Sequence, residues 1–175
     1  MDLKTKIREI PDWPKKGVNF KDITTLLQDP ESFKEVIDQL CGPLAGQKID
    51  KIVGIDARGF LIAAPVAYKL GTGLSIVRKK GKLPFDTIEQ EYELEYAKEI
   101  IQMHKDAILS GEKVVLIDDL AATGGTALAT CDMIEKLGGD IIEICFIVDL
   151  PFLRGSKKLK DRGYKIRSLV SYDSE

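Results

Sequence analysis

The spacing of apolar residues changes repeatedly along the chain, between a helical period and short continuous runs, and this predicts strands that alternate with helices. Residues 33–40 carry apolar side chains at intervals of three and four, the pattern of a helix with one buried face. Asp29 and Pro30 are typical of a helix N-terminus, and Gly42 followed by Pro43 is typical of a helix end. We therefore expect a helix between these two boundaries.

Short buried strands are indicated by apolar runs bounded by glycine and charged residues. They cover residues 51–55, 74–77, 113–117, 141–150 and 165–170. Helical segments follow two of these runs, ending at Leu70 and covering residues 126–137. Strands that alternate with helices predict an α/β fold with a parallel core sheet. Ligands of such sheets bind beyond the carboxyl ends of the strands, so residues directly after strands are the candidates for chemistry.

Two consecutive segments break the alternation of strand and helix. Residues 78–84 are basic and contain turn formers, so we expect a loop there. Residues 86–95 alternate acidic and apolar side chains with a period near two. That period favours a hairpin or a mobile flap over a helix.

Composition and charge restrict the class of protein. A length of 175 residues predicts a single domain, and 26 basic against 28 acidic residues argue against nucleic-acid binding driven by bulk charge. Cys41, Cys131 and Cys145 form no CxxC pair, so we expect a reducing compartment and no disulfide framework. His104 is the single histidine, which excludes a multi-histidine metal site. The charged N-terminus and the lack of a long apolar run predict a cytoplasmic protein.

Residues 114–126 carry the clearest chemical signal in the chain. An apolar strand runs into Asp118 and Asp119, and the small-residue turn Ala-Ala-Thr-Gly-Gly-Thr then leads into a helix. Such a turn can point several backbone N–H groups at one phosphate, with the helix N-terminus adding to the attraction. The two carboxylates suit a group that presents hydroxyls beside that phosphate, such as a ribose. The alternative is a structural turn in which the two acids cap the helix.

This segment resembles the phosphoribosyl-pyrophosphate (PRPP) motif of type I phosphoribosyltransferases. Four further segments resemble the adenine phosphoribosyltransferases within that family, namely GVNFKDIT at 17–24, DARGF at 56–60, RKKGKLP at 78–84 and YELEY at 92–96. The resemblance implies a parallel core sheet flanked by helices, a small N-terminal hood and a flexible flap over residues 82–96. It also implies an enzyme of purine salvage that transfers ribose 5-phosphate from PRPP to adenine, giving AMP and pyrophosphate.

The resemblance assigns PRPP binding to a set of residues after three strands. They are Arg58, Arg78, Lys79, Lys82, Asp118, Asp119, Ala122, Thr123, Gly124, Gly125 and Thr126. Arg58 and Lys79 are implied to be catalytic because they would hold the departing pyrophosphate, for which a guanidinium fork is well suited. The implied cofactor is Mg²⁺, held mainly by PRPP and water, with no metal ligand expected directly from the protein.

The remaining implied roles concern the base and the flap. Glu95 resembles the family's general acid/base, which exchanges a proton with the purine ring, and Tyr96 follows it in the flap. Phe20 and Leu120 are implied to sandwich adenine. Backbone groups near Asn19 and Lys21 are implied to bind its polar edge. A homodimer is implied by the family alone.

The chain departs from the family pattern at three positions, and two rival functions stay open. Lys21 replaces an arginine, Ala121 a bulkier leucine, and Ala97 the glycine that usually follows Glu-Tyr. A transferase for a 6-oxopurine is the nearest rival, although no lysine donor for the oxo group is evident. The second rival is a PRPP-sensing regulator that binds nucleic acid, for which the basic segment 154–167 is the only hint; we expect that segment to be a solvated face.

Overall fold

The computed structural model describes residues 1–93 and 98–174. Its α-helices are α1 (Thr24–Gln28), α2 (Pro30–Cys41), α3 (Arg58–Leu70), α4 (Gly125–Lys136) and α5 (Gly155–Asp161). Its strands are β1 (Arg8–Ile10), β2 (Phe20–Asp22), β3 (Lys51–Ile55), β4 (Gly73–Lys79), β5 (Thr87–Glu93), β6 (Lys98–His104), β7 (Lys113–Ala121), β8 (Asp140–Asp149) and β9 (Ile166–Ser171).

Within the described residues, the main sheet has seven strands in the order β5-β6-β4-β3-β7-β8-β9. The five strands from β4 to β9 in that order are parallel, which confirms the predicted α/β class. Strands β5 and β6 form an antiparallel hairpin that joins the edge of β4. Strands β1 and β2 pair separately as a small N-terminal antiparallel sheet.

The core lies on both faces of the parallel strands, because successive side chains of a strand point to opposite faces. Val115 and Ile117 of β7 are fully buried with α2 and α3 on one face. Val114 and Leu116 are fully buried with α4 on the other face. This explains why β7 is apolar without alternation, as expected of a central parallel strand.

Most predicted elements are confirmed, and the errors lie at strand ends. Helix α2 starts after Asp29 and ends before Gly42, as the sequence predicts. The loop prediction was wrong for Arg78 and Lys79, which continue β4 because they pair with β6. The prediction that the turn begins at Ala121 was also wrong, since β7 continues to that residue through its pairing with β8.

The described residues contain no helix that is long and apolar enough to cross a membrane. The three cysteines are free and buried.

Candidate active site

The site is built at the carboxyl ends of β3 and β7, which are hydrogen-bonded neighbours in the sheet. Arg58 follows β3 and is the first residue of α3. Asp118 and Asp119 lie near the carboxyl end of β7. Gly59 permits the close approach of the two ends. A Cβ atom at Gly59 would lie 2.9 Å from Asp118 Oδ1 and 3.1 Å from the Ile117 carbonyl oxygen. The peptide bond between Asp56 and Ala57, close to Arg58, is cis.

Arg58 and Asp119 form an ion pair, with 2.6 Å between Arg58 Nε and Asp119 Oδ2. The same guanidinium lies over the ring of Phe20, 5.1 Å from its centroid. Burial and the neighbouring charge of Asp119 raise the pKa of Asp118 well above its usual range. Burial also raises the pKa of Asp119, and Arg58 opposes that rise. Arg58 is therefore a cation that opposes the rise in the pKa of both carboxyls.

A large cavity of about 250 Å³ opens beside this pair. The predicted residues that line it are Arg58, Lys79, Asp118, Asp119 and Thr126. Asp56, Tyr92 and Ile101 also line it. The cavity thus brings two cationic side chains of the predicted pyrophosphate group together with both predicted ribose-binding acids.

A small cavity of about 80 Å³ lies next to the large one and shares Asp118 and Thr126 with it. Its lining contains Leu120 and all five residues of the phosphate loop, our name for residues 122–126. Gly124 has a φ of +81°, a backbone conformation that favours glycine, and α4 begins at the next residue. The N-terminus of this helix, which has 12 residues, therefore opens onto the loop.

The acids before the phosphate loop do not cap the helix, so the capping role that the structural alternative gave them was wrong. Asp118 and Asp119 belong to β7, and α4 has no side-chain cap. The phosphate loop is instead stabilised by hydrogen bonds from α5. The N–H of Gly155 donates to the Ala122 carbonyl at 2.9 Å, and Lys158 Nζ donates to the Thr123 carbonyl at 3.2 Å.

Arg78 and Lys82 are not among the described residues that line the two cavities. Arg78 Nε lies 3.2 Å from Asp56 Oδ2, and Arg78 Nη1 donates to the Lys82 carbonyl at 3.2 Å. Arg78 therefore ties the turn after β4 to Asp56, which itself lines the large cavity.

The predicted adenine-binding residues are divided between the N-terminal sheet and β7. Phe20 lies against Arg58 and also against Trp13, with 4.5 Å between the two ring centroids. Lys21 is adjacent to Phe20 in β2, and its side chain is almost fully buried. Its ammonium contacts Glu9 at 2.8 Å and lies over the ring of Tyr172.

The side chain of Asn19 also contacts Glu9, through Nδ2 at 2.6 Å, and its buried Oδ1 has no hydrogen-bond partner in the described part of the chain. Leu120 lines the small cavity. Phe20 is thus an adenine candidate that lies against a PRPP candidate, Arg58.

Glu95 and Tyr96 lie outside the described residues, as does Ala97. Their assignments stay predictions. Elsewhere in residues 1–93 and 98–174, no three His, Cys, Asp or Glu side chains form a cluster that could hold a metal ion.

Sequence reasoning missed Tyr92 and Glu99 as parts of the site. Tyr92 Oη donates to Glu99 Oε2 at 2.7 Å, and Lys79 Nζ lies 3.1 Å from Glu99 Oε1. The period-two pattern of residues 86–95 signals a strand that contains Tyr92. The pairing register that places Glu99 opposite Tyr92 is not readable from that pattern.

Known proteins resemble this chain over nearly its whole length. The phosphoribosyl transferase domain family matches residues 22–173. An adenine phosphoribosyltransferase of Desulfosudis oleivorans is 55% identical over 175 residues, which is 100% of both chains. The crystal structure of the adenine phosphoribosyltransferase from Thermoanaerobacter pseudethanolicus superposes with a TM-score of 0.93 and 51% identity, covering 98% of each chain. The Saccharomyces cerevisiae enzyme, complexed with adenine and an imino-altritol bisphosphate, superposes with a TM-score of 0.90 and 35% sequence identity, covering 96% of each chain.

Proposed function

The chain belongs to the adenine phosphoribosyltransferase family, and we infer that it transfers ribose 5-phosphate from PRPP to adenine, giving AMP and pyrophosphate in purine salvage. Its fold is that of the type I phosphoribosyltransferases. The observation that carries the function is the pair of adjoining cavities, one lined by Arg58, Lys79 and Asp119 and the other by the phosphate loop. The relatives named above favour adenine over a 6-oxopurine.

Pyrophosphate is proposed to occupy the large cavity. Arg58 and Lys79 stabilise the negative charge that develops there as the bond between C1 of the ribose and the pyrophosphate breaks. The Arg58 fork can bind two phosphate oxygens at once, whereas Lys79 acts as a mobile point charge. Arg78 and Lys82 are proposed to contribute at longer range, because Arg78 is held by Asp56 in this structure.

The 5′-phosphate of PRPP is proposed to occupy the small cavity. The phosphate loop can offer backbone N–H groups and the hydroxyls of Thr123 and Thr126, and the α4 N-terminus adds favourable electrostatics. Asp118 lines both cavities and Asp119 lines the large one, which suits acceptors for the ribose hydroxyls. A single PRPP molecule can therefore span both cavities.

Adenine is proposed to stack on Phe20, which already lies against Arg58 beside the large cavity. Leu120 would cover its other face, and backbone groups near Asn19 and Lys21 would bind its polar edge. Glu95 is proposed as the general acid/base that exchanges a proton with the imidazole part of the ring as N9 attacks C1. Tyr96 is proposed to help exclude water from C1 as part of the flap.

The cofactor is proposed to be Mg²⁺. A hard cation of this kind prefers oxygen ligands and keeps several waters, so phosphate oxygens together with waters bound to the Asp118 and Asp119 carboxylates would form a suitable donor set. The Asp119 Oδ2 atom is buried and accepts no hydrogen bond from the described residues, although Arg58 lies close to it. When bound, Mg²⁺ neutralises charge on the pyrophosphate. Asp118 and Asp119 are proposed to hold it through water.

A homodimer and a cytoplasmic location are further proposals. The dimer is supported by the family and by the exposure of large apolar side chains, with Tyr68 91%, Leu61 53% and Leu74 44% exposed. The location is supported by three free cysteines, as expected in a reducing compartment.

The experiment that tests the function is an assay for nucleotide formation with PRPP, Mg²⁺ and one base at a time. The bases are adenine, hypoxanthine, guanine, xanthine and orotate. We expect AMP from adenine and no nucleotide from the other four. Another nucleotide would overturn the adenine site, and PRPP binding without any product would favour a regulatory protein.

A further inference from the structure

Glu99 connects the hairpin formed by β5 and β6 to a cation of the large cavity. One carboxylate oxygen accepts a 2.7 Å hydrogen bond from the hydroxyl of Tyr92, and the other lies 3.1 Å from Lys79 Nζ. The strand register accounts for both contacts. Glu99 is directly opposite Tyr92, and Lys79 is opposite Ile101, two residues further along β6.

The position of Glu99 is well defined by its surroundings. The ring of Tyr92 packs on Gly125 of the phosphate loop, where a Cβ atom would lie 3.0 Å from Tyr92 Cδ2. Burial raises the pKa of Tyr92 to about 12, so its hydroxyl stays protonated and donates. The hydrogen bonds from Tyr92 and Lys79 lower the pKa of Glu99, so the carboxylate is ionised at neutral pH.

Lys79 therefore has a carboxylate partner at the place where the proposed function puts pyrophosphate. We propose that Glu99 is a positioning residue that neutralises Lys79 while the large cavity is empty and thereby weakens the affinity of the protein for pyrophosphate. This inference rests on the proposed function, because it assumes that pyrophosphate contacts Lys79. Its consequence for turnover is easier release of a highly charged product.

Competition between two anions for one ammonium explains the proposed effect. Pyrophosphate must take Lys79 from Glu99, and the released carboxylate then lies close to the bound anion. Both steps oppose binding of pyrophosphate. Neither acts on adenine, which is uncharged. The proposal thus predicts a change in pyrophosphate affinity without a change in adenine affinity. A general loss of structure would change both affinities.

The test is the variant Glu99→Gln, which keeps the shape of the side chain and an oxygen that can accept from Tyr92. Isothermal titration with inorganic pyrophosphate, at fixed ionic strength and fixed free Mg²⁺, gives the dissociation constant. We expect binding to be roughly two- to fivefold tighter than in the unmodified protein, the range for one partly exposed ion pair. The dissociation constant of adenine should not change.

The matched control is Glu91→Gln on the same hairpin. Glu91 pairs with Lys98 at 2.7 Å, is exposed, and does not line either cavity. This variant makes the same change in net charge and should leave pyrophosphate affinity unaltered. In a protein that already carries Lys79→Met, the gain in pyrophosphate affinity from Glu99→Gln should be no larger than that seen with this control.

Three results would overturn the inference: unchanged or weaker pyrophosphate binding by Glu99→Gln, an equal gain in Glu91→Gln, or a full gain without Lys79. If the unmodified protein itself fails to bind pyrophosphate, the proposed function fails and the inference fails with it. Binding by the unmodified protein without a gain in Glu99→Gln rejects the inference alone.

Discussion

The amide N–H of Gly155 donates a hydrogen bond of 2.9 Å to the carbonyl oxygen of Ala122, and a methyl group at position 155 would overlap that same oxygen. Gly155 is the first residue of α5, and Ala122 is the first residue of the phosphate loop. The shape of the loop therefore depends on a residue more than 30 positions further along the chain. The sequence of the loop alone does not predict this hydrogen bond.

We expect Gly155→Ala to raise the KM for PRPP at least about tenfold, because relief of the overlap must displace the loop or α5. Adenine affinity should change little, since the nearest atoms that a methyl group at position 155 would meet belong to Ala122 and Gly124 and to no adenine candidate. Gly42→Ala is the matched control. Gly42 has a helical φ of −50°, and a Cβ atom there meets no atom within 4 Å. Steady-state kinetics with both variants measure the effect, and an unchanged KM in Gly155→Ala would contradict it.

Loss of Arg58 should change the pH dependence of PRPP binding. Burial raises the pKa of Asp119 and Arg58 lowers it, so removal of Arg58 allows a further rise. The carboxylate is then lost at a higher pH as the solution is acidified. In Arg58→Gln, we expect the acidic limb of the affinity profile to move to higher pH, on top of weaker binding at every pH.

The control for this profile is Arg8→Gln, whose guanidinium lies 3.7 Å from Asp22 outside the two cavities. Its acidic limb should coincide with that of the unmodified protein. PRPP titrations between pH 4 and 8 supply the comparison. An acidic limb that stays in place in Arg58→Gln would show that Asp119 does not depend on this ion pair.

A buried ion pair whose residues do not line the two cavities should set part of the stability toward acid. Glu143 is 1% exposed, with Arg167 Nη2 at 2.9 Å and Lys165 Nζ at 3.2 Å. Burial pushes the pKa of Glu143 upward, but the two cations outweigh it, and the pKa is lowered from 4.5. A lowered carboxylate pKa stabilises the folded state above pH 4.5, and this stability is lost as the pH falls further.

Glu143→Gln should therefore reduce the free energy of unfolding by about 3 kcal/mol at pH 7, the lower end for breaking a buried pair. The difference should shrink progressively below pH 4.5. Asp161→Asn, which removes an exposed pair with Lys157, should cost under about 0.5 kcal/mol. Urea unfolding at several pH values measures both variants. A difference that is constant down to pH 3 would disprove the assignment.

Glu95→Gln should lower kcat roughly a hundredfold while PRPP binding stays nearly unchanged, because a general acid/base acts on the proton and not on the phosphates. Glu91→Gln serves as the control, since Glu91 is an exposed carboxylate four positions earlier in the sequence. Rapid-quench measurement of a single turnover isolates the chemical step. An unchanged rate would remove Glu95 from the mechanism.

The parallel strands and the phosphate loop could be predicted from the sequence because their signals are local. Strand β7 is a continuous apolar run, and the small residues of the loop follow it directly. The end of β7 was predicted wrongly because it is set by pairing with another strand. Ala121 looks like the start of a turn, but pairing with β8 keeps the strand extended as far as this residue.

Partnerships across the sheet could not be predicted, since they depend on register and not on composition. The contact of Glu99 with Lys79 and Tyr92 is one case. Arg167 is another. It looked like part of a solvated basic face, yet it donates to the carbonyls of Gln39 and Leu40 and pairs with buried Glu143.

The central claim, that one PRPP molecule spans the two cavities, is tested most directly by a crystal structure of the protein grown with AMP, pyrophosphate and Mg²⁺. The account predicts the 5′-phosphate of AMP within hydrogen-bond distance of the phosphate loop, residues 122–126. It predicts pyrophosphate against Arg58 and Lys79, with adenine on Phe20. A nucleotide phosphate bound at Arg58, or pyrophosphate bound outside the large cavity, would contradict it.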